Sequence, residues 1–282
     1  MIEIANSSFI TSENEVKIHP LAVVDSKAKI DKGTVIGPGA VIGANVKIGP
    51  DNMIGPNVIL DGDLTIGANN KIFPGACIGL EPQDLKYQGA LTKVFIGNGN
   101  TIRECVTINR ATYDGEETVI GDTNLLMAYC HLGHNCHLGS GIIMSNGIQV
   151  AGHVVIEDRA VIGGCLGIHQ FVHIGGLAMV GGMTRVDRDV PPYSLVEGHP
   201  GRLRGLNRVG IRRSGIETRN SDDLKQLQEV WTMLFRSEMV LTEALNLARE
   251  KELMPLAKHL CDFMYESIQK GRRGPMPSLV NS

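Results

Sequence analysis

The chain has 282 residues, of which 43% are apolar and only 4% aromatic, with 34 glycines and a formal net charge of −3. That is enough apolar material for one large domain or two ordinary ones, with a core built from aliphatic side chains. A charge balance this near neutrality carries no nucleic-acid signature, and no run of residues is apolar enough to span a bilayer.

The first residues, "MIEIANSSFITSENEV", hold acids and no basic segment ahead of an apolar stretch, so they read as an N-terminal extension (1–17) and not as a secretory signal. The six cysteines, Cys77, Cys105, Cys130, Cys136, Cys165 and Cys261, are scattered and form no C-x-x-C pair. They read as small buried residues of a reduced, cytoplasmic protein.

From Ile18 to Val186 a six-residue period dominates. Of the 29 positions spaced by six, all carry an aliphatic residue or Met except Asp84, Ala90 and Asp114. Glycine often follows, as in Ile36-Gly37, Ile48-Gly49 and Ile54-Gly55. A period of six suits a short strand and a turn, where glycine permits backbone angles closed to other residues. One such unit cannot bury its apolar side chain alone, so the units must coil and stack over 18–190. The three exceptions lie in polar, turn-rich stretches, which predicts loops near 80–95 and 109–119. Loops on a rigid scaffold are where binding residues concentrate.

The paired prolines of "DVPPYS" are expected to end strand pairing, leaving a connecting segment over 191–220. Its stretch from 202 to 219 is basic, with Arg202, Arg204, Arg208, Arg212, Arg213 and Arg219 against Glu217 alone, which suits phosphate or an acidic partner. From Ser221 apolar residues recur at spacings of three and four. This predicts a helical domain over 221–282, with further helices near 241–250 and 254–269.

"HLGHNCHLG" (131–139) concentrates three histidines. If three hexads make one coil of 18 residues, His134 lies level with Gly152 one coil on and Gln170 two coils on. His131, His153 and His169 then fall on the same side, while His137 faces elsewhere as a turn residue. A metal site needs three converging ligands, and consecutive hexads point different ways. An acid–base site needs one imidazole that can take up and return a proton, with room beside it. Gly152 leaves that room, and its N–H is placed to steady an oxyanion. Neither Cys130 nor Cys136 has a neighbour that would activate it as a nucleophile.

The stretches "PQDLKYQG", "NLLMAYCHLGHNC", "AGHVVIEDRAVIGG", "IHQF" and "DVPPYS", in this order, resemble the acyl-ACP:UDP-N-acetylglucosamine O-acyltransferases of lipid A biosynthesis, hexapeptide-repeat enzymes. The resemblance implies a left-handed parallel β-helix followed by a small C-terminal α-helical domain, a homotrimer with sites between neighbouring copies, and no cofactor or metal. It implies acyl carrier protein and UDP-N-acetylglucosamine as partners. His134 matches the general base and Gly152 the oxyanion donor. Asp84, Lys86, His131, His153, His169 and Gln170 match substrate contacts. Asn207 and Arg213 match residues near the nucleotide, and Gly182 the end of the acyl groove. Other acyltransferases of the repeat class, using another nucleotide (amino) sugar or coenzyme A, and metal-dependent hydratases of the carbonic anhydrase type, share the hexads. Three positions depart from the family pattern: Asn135 and Val209 stand where it has acids, and Ser214 replaces one of a basic pair. Because asparagine brings no charge to the imidazole, Asn135→Asp is expected to raise the rate.

Overall fold

A computed structural model describes residues 15–216 and 221–278. The outer residues of the N-terminal extension, Glu217, Arg219 and the last four residues lie outside them. Twenty-five short strands, from Lys17–Ile18 to Met179–Val180, wind into three parallel faces. The first face holds the strands ending at Ile18, Ile36, Ile54, Ile72, Ile102, Leu126, Met144, Ile162 and Val180. The second face runs through Val24, Ile42, Leu60, the Cys77–Leu80 strand, the Thr107–Asn109 strand, Leu132, Val150 and Ile168. The third runs through Ile30, Ile48, Ile66, Ile96, Ile120, Leu138, Ile156 and Ile174. Stacked coils pair in register, as in His131↔Gln149 and Leu132↔Val150.

Each hexad points two side chains inward. One is the periodic aliphatic residue; the other stands four positions later and includes Ala40, Val46, Val58, Val106, Cys130, Cys136, Ile142 and Val154, all buried. Full burial of one such branched side chain contributes about 1.5–3 kcal/mol. Two residues after the aliphatic one come Pro20, Pro38, Pro50, Pro56 and Pro74, so the backbone at this turn position needs no donor. The next residue takes a left-handed backbone: Asp51 (φ 59°), Asn57 (54°), Asn135 (59°), His153 (59°) and Phe171 (64°). Most of the glycines that follow the aliphatic residues, Gly37, Gly49 and Gly55 among them, take no left-handed angle, contrary to expectation; Gly79 (φ 81°) does. A Cβ at Gly49 or Gly55 would come within 2.8 or 2.9 Å of a carbonyl oxygen in the next coil, so close stacking requires them. Cys105 and Cys165 sit at left-handed corner positions and are exposed, so only part of the cysteine set is buried.

A ladder of buried amides runs up the corner between the third and first faces. Asn52 Oδ1 accepts from Asn70 N (2.8 Å), Asn70 Oδ1 from Asn100 N (2.8 Å), Asn100 Oδ1 from Asn124 N (2.8 Å) and Asn124 Oδ1 from Ile142 N (2.7 Å). Their Nδ2 groups donate to glycine carbonyls along the stack, Asn100 to Gly121 O at 2.9 Å.

The loops are shorter than expected, because Lys93–Ile96 and Glu117–Ile120 are strands. They span 81–92 and 110–116, and both leave the coil between the second and third faces. Past Val186 the coil tightens and continues. Val186 bridges Ile168, Val190 bridges Ile174, and Ser194–Glu197 pairs parallel to Met179–Val180. The prolines therefore do not end pairing: Pro192 occupies the donor-free turn position. Arg202–Leu206 then turns back antiparallel.

Helices α1 (Arg208–Arg213), α2 (Ser221–Arg236), α3 (Leu241–Arg249) and α4 (Pro255–Ser267) complete the chain. Two carboxylates fasten α4 and the segment after it to the coil. Asp189 accepts from Ser267 Oγ (2.7 Å) and from Arg272 Nη2 (2.7 Å) and Nε (3.1 Å). Glu157 lies 2.8 Å from His173 Nε2 and 2.9 Å from His259 Nε2, and Tyr193 OH stands 2.7 Å from His259 Nδ1. Burial pushes the Glu157 carboxyl up, but the two imidazoles outweigh it and hold it at about 2.

Removing one rung of the ladder strands several buried partners. Asn100→Ala is expected to lower unfolding stability by roughly 3 kcal/mol in urea titrations, against less than ~0.5 kcal/mol for Ala at exposed Asn146. The Glu157 joint stabilises above the ordinary carboxyl value of 4.5 and is lost as pH falls towards about 2. Glu157→Gln should therefore be roughly 3 kcal/mol less stable at pH 7, with the gap closing by about pH 2.

Candidate active site

Three successive turns between the second and third faces build the site. His134, Gly152 and Gln170 occupy the same turn position, two residues after Leu132, Val150 and Ile168. In-register stacking sets them one above another, with His153 N–H donating to His134 O (2.9 Å) and Phe171 N–H to Gly152 O (3.2 Å). The 81–92 and 110–116 loops emerge at this corner in the two preceding coils and reach His134 from the other side.

The His134 ring lies directly against Gly152: a Cβ there would stand 2.4 Å from its Cε1 and Nε2. Its Nδ1 is 2.9 Å from Asn135 Oδ1 and 3.0 Å from Thr112 Oγ1. The Asn135 amide has a single workable orientation. Nδ2 donates to Glu116 Oε2 (2.8 Å), and Oδ1 accepts from Thr112 N–H (3.2 Å). An Oδ1 facing Nδ1 can only accept, so Nδ1 carries the proton and Nε2 presents a free lone pair. Asp84 Oδ2 is 3.9 Å from that Nε2, beyond hydrogen-bond reach, and accepts from Thr112 Oγ1 at 3.4 Å.

The flanking imidazoles are poised neutral. His131 Nδ1 meets Thr107 Oγ1 at 2.8 Å, and burial, then the neighbouring His134, pushes its pKa down. His153 sits edge-on to His134 (ring centroids 5.0 Å) and stacks on Phe171 (4.7 Å). Its pKa is also lowered, first by burial and then by His134, against the pull of Glu116 and Asp84. A backbone hydrogen bond from Lys86, with His134 nearby, holds Asp84 low. Burial drives the Cys136 thiol up to about 12 and raises Cys130, so neither is a ready nucleophile. Among the described residues no group of three or more His, Cys, Asp or Glu side chains is placed to hold a metal ion.

The expected residues divide by corner. His131, His134, Asn135, Gly152, His153 and Asp84 come together. Lys86 is exposed beside Asp84, and exposed His169 and Gln170 continue the same corner one coil beyond His153. His137 does face elsewhere, but from a strand (His137–Leu138) and not from a turn. Gly182 belongs to the corner between the first and second faces. Asn207 lies at the corner between the third and first, where Nδ2 donates to Leu177 O (2.8 Å) and Oδ1 caps α1 at Gly210 N (2.9 Å); exposed Arg213 ends that helix. Thr112, Glu116 and Phe171 were not anticipated. The loop itself was expected, because the step from Ile108 to Ile120 holds one extra hexad at His134's corner, but the hexad count does not say which loop side chains reach His134.

A family model described as UDP-N-acetylglucosamine O-acyltransferase, domain 2, matches residues 189–276. The acyl-[acyl-carrier-protein]–UDP-N-acetylglucosamine O-acyltransferase of Myxococcus xanthus is 46% identical over 260 residues, 92% of this chain and 98% of that protein. The chain belongs to this acyltransferase family. The Gloeothece citriformis member is 49% identical over 206 residues, 73% of this chain and 74% of that one. The solved UDP-N-acetylglucosamine O-acyltransferase of Moraxella catarrhalis superposes with a TM-score of 0.83 at 37% identity, covering 92% of this chain and 99% of that one. The fold is accordingly the family's left-handed parallel β-helix with a C-terminal helical region.

The clash at Gly152 falls on a side chain that can swing aside, so it endangers the site more than the fold. Gly152→Ala is expected to keep its melting temperature within a few degrees of the parent while acyl transfer drops at least ~100-fold, as misplaced catalytic groups do.

Proposed function

We propose that the chain transfers a 3-hydroxyacyl group from acyl carrier protein to the 3-hydroxyl of UDP-N-acetylglucosamine, the first step of lipid A biosynthesis, with His134 as general base. The observation that carries this reading is the 2.9 Å contact of His134 Nδ1 with Asn135 Oδ1, an oxygen that can only accept, which calls for an Nδ1–H tautomer and leaves Nε2 free to accept a proton beside Gly152. As the sugar oxygen bonds to the thioester carbon, its proton passes to Nε2. When the C–S bond breaks, the imidazolium returns that proton to the thiolate. Gly152 N–H has the place of the oxyanion donor, because its turn position is the one that tolerates proline in other coils and needs no acceptor within the coil. Neutral His131 and His153 line the approach without competing for the proton at neutral pH.

Further support comes from what one chain leaves apart. A cleft of about 750 Å³ beneath the 81–92 loop does not include His134. Asn207, Arg213 and Gly182 stand on other corners. A homotrimer in which neighbouring coils face one another would join those corners to His134 and form the sugar-nucleotide cleft. The arginines of 202–213 would then serve the diphosphate or the acidic carrier protein. Among the described residues no helix is long and apolar enough to cross a membrane, which is consistent with work in the cytoplasm on soluble substrates.

Mass spectrometry of products formed from UDP-N-acetylglucosamine and a panel of 3-hydroxyacyl carrier-protein thioesters tests the reading. An O-acylated sugar nucleotide is expected. His134→Ala should reduce its formation by at least ~1000-fold with the oligomer and melting curve unchanged. Full activity of that variant would remove His134 as base.

A further inference from the structure

We propose that Glu116 is the anionic member of the relay, acting on His134 through the side-chain amide of Asn135; this rests on His134 being the general base. In the family pattern an aspartate beside the base would supply both orientation and charge. Here the two duties are divided. Asn135 Oδ1 orients the imidazole at 2.9 Å, and Asn135 Nδ2 is held 2.8 Å from Glu116 Oε2.

The geometry leaves the amide no alternative. Asn135 is buried, its backbone N–H donates to Thr118 Oγ1 (3.0 Å), and its Oδ1 also accepts from Thr112 N–H. The carboxylate is fixed as firmly: Tyr113 N–H donates to the same Glu116 oxygen at 3.1 Å, closing the 110–116 loop. Glu116 is half-buried at the point where that loop re-enters the coil, and its charge also acts on His153. A carboxylate hydrogen-bonded to an amide polarises it, making the opposite oxygen a stronger acceptor. The gain is largest once His134 has taken the substrate proton and Nδ1–H belongs to an imidazolium. Glu116 and Asn135 neither gain nor lose a proton: the hydroxyl proton goes to Nε2 and then to the departing thiolate. Glu116 is thus a positioning and electrostatic residue that touches no substrate.

This arrangement reverses the expectation drawn from sequence for Asn135→Asp. An aspartate there would face Glu116 with no hydrogen between two carboxylates, so it should slow the enzyme.

Steady-state kinetics of the full-length protein test the inference, with Glu116→Gln, Asn135→Asp, the double variant, His134→Ala and exposed Glu117→Gln as control. Glu116→Gln should lower kcat roughly 10- to 100-fold, as loss of a group that orients a catalytic side chain does, with KM for the sugar nucleotide within about twofold. Asn135→Asp should also fall. The double variant should exceed both single variants, because the introduced glutamine amide can donate to the introduced aspartate, which then faces His134 Nδ1 directly. Glu117→Gln should match the parent. A kcat for Glu116→Gln within about twofold of the parent, a loss confined to KM, or a double variant no faster than Asn135→Asp would overturn the proposal. The last comparison needs only the two proteins that carry Asn135→Asp, so it decides the matter even where the single glutamine variant is unstable. Activity in His134→Ala would instead remove the base itself. An inactive His134→Ala beside an unimpaired Glu116→Gln removes only the relay.

Discussion

Backbone hydrogen bonds run from each hexad to the one a full coil away, and they permit no slip. Gly133 N–H meets Val150 O at 2.8 Å and His137 N–H meets Val154 O at 2.9 Å, and the same pattern repeats along the stack. A parallel pair fixed in register gives every residue a height and a direction determined by its place in the hexad. The inward rows, the left-handed corner residues, the asparagine ladder and the stacking of Gly152 on His134 all descend from that constraint.

The corner at His134 uses the constraint in two ways. Vertical stacking provides neighbours without any long-range search, so a ring and the missing side chain beneath it are placed by counting eighteen residues. Insertion provides chemistry the coil lacks. Turn positions expose one side chain each, too few to orient an imidazole, so the two loops lean back over the corner and bring Thr112, Glu116 and Asp84. The rigid part supplies His134, the Asn135 oxygen that meets its Nδ1 and the open position at Gly152; the inserted part supplies Glu116 and Thr112, which hold the Asn135 amide in place.

Much of this was legible in the sequence, for reasons that also mark where legibility stopped. The first inward row was plain because almost every member is aliphatic. The second was not, because Ala40, Asn70, Cys136 and Thr34 share a position that asks only for modest size and, where polar, a partner in the ladder. The left-handed corner was hidden by its varied occupants, from Asn57 to Phe171. His134 and Gly152 could be paired because no insertion separates them. Glu116 could not, because the 110–116 loop lies between it and the regular count, and the sequence alone made Asn135 look like a loss of charge. Asn207, Arg213 and Gly182 came only through family resemblance, since in one chain they stand on other corners.

A column of parallel strands invites another column to continue it, because its end strands offer unpaired backbone groups. Here the first face finishes with Arg202–Leu206 running antiparallel, bridged in turn by Ser278, and α4 lies across the third face with Phe263 against His173. Head-to-tail growth requires both ends of every copy to be receptive. Obstructing one end is sufficient to stop a filament, whatever the state of the other. The reversed strand and the helical region therefore act as a terminator for the stack, keeping a repeat with no inherent length from becoming a fibre.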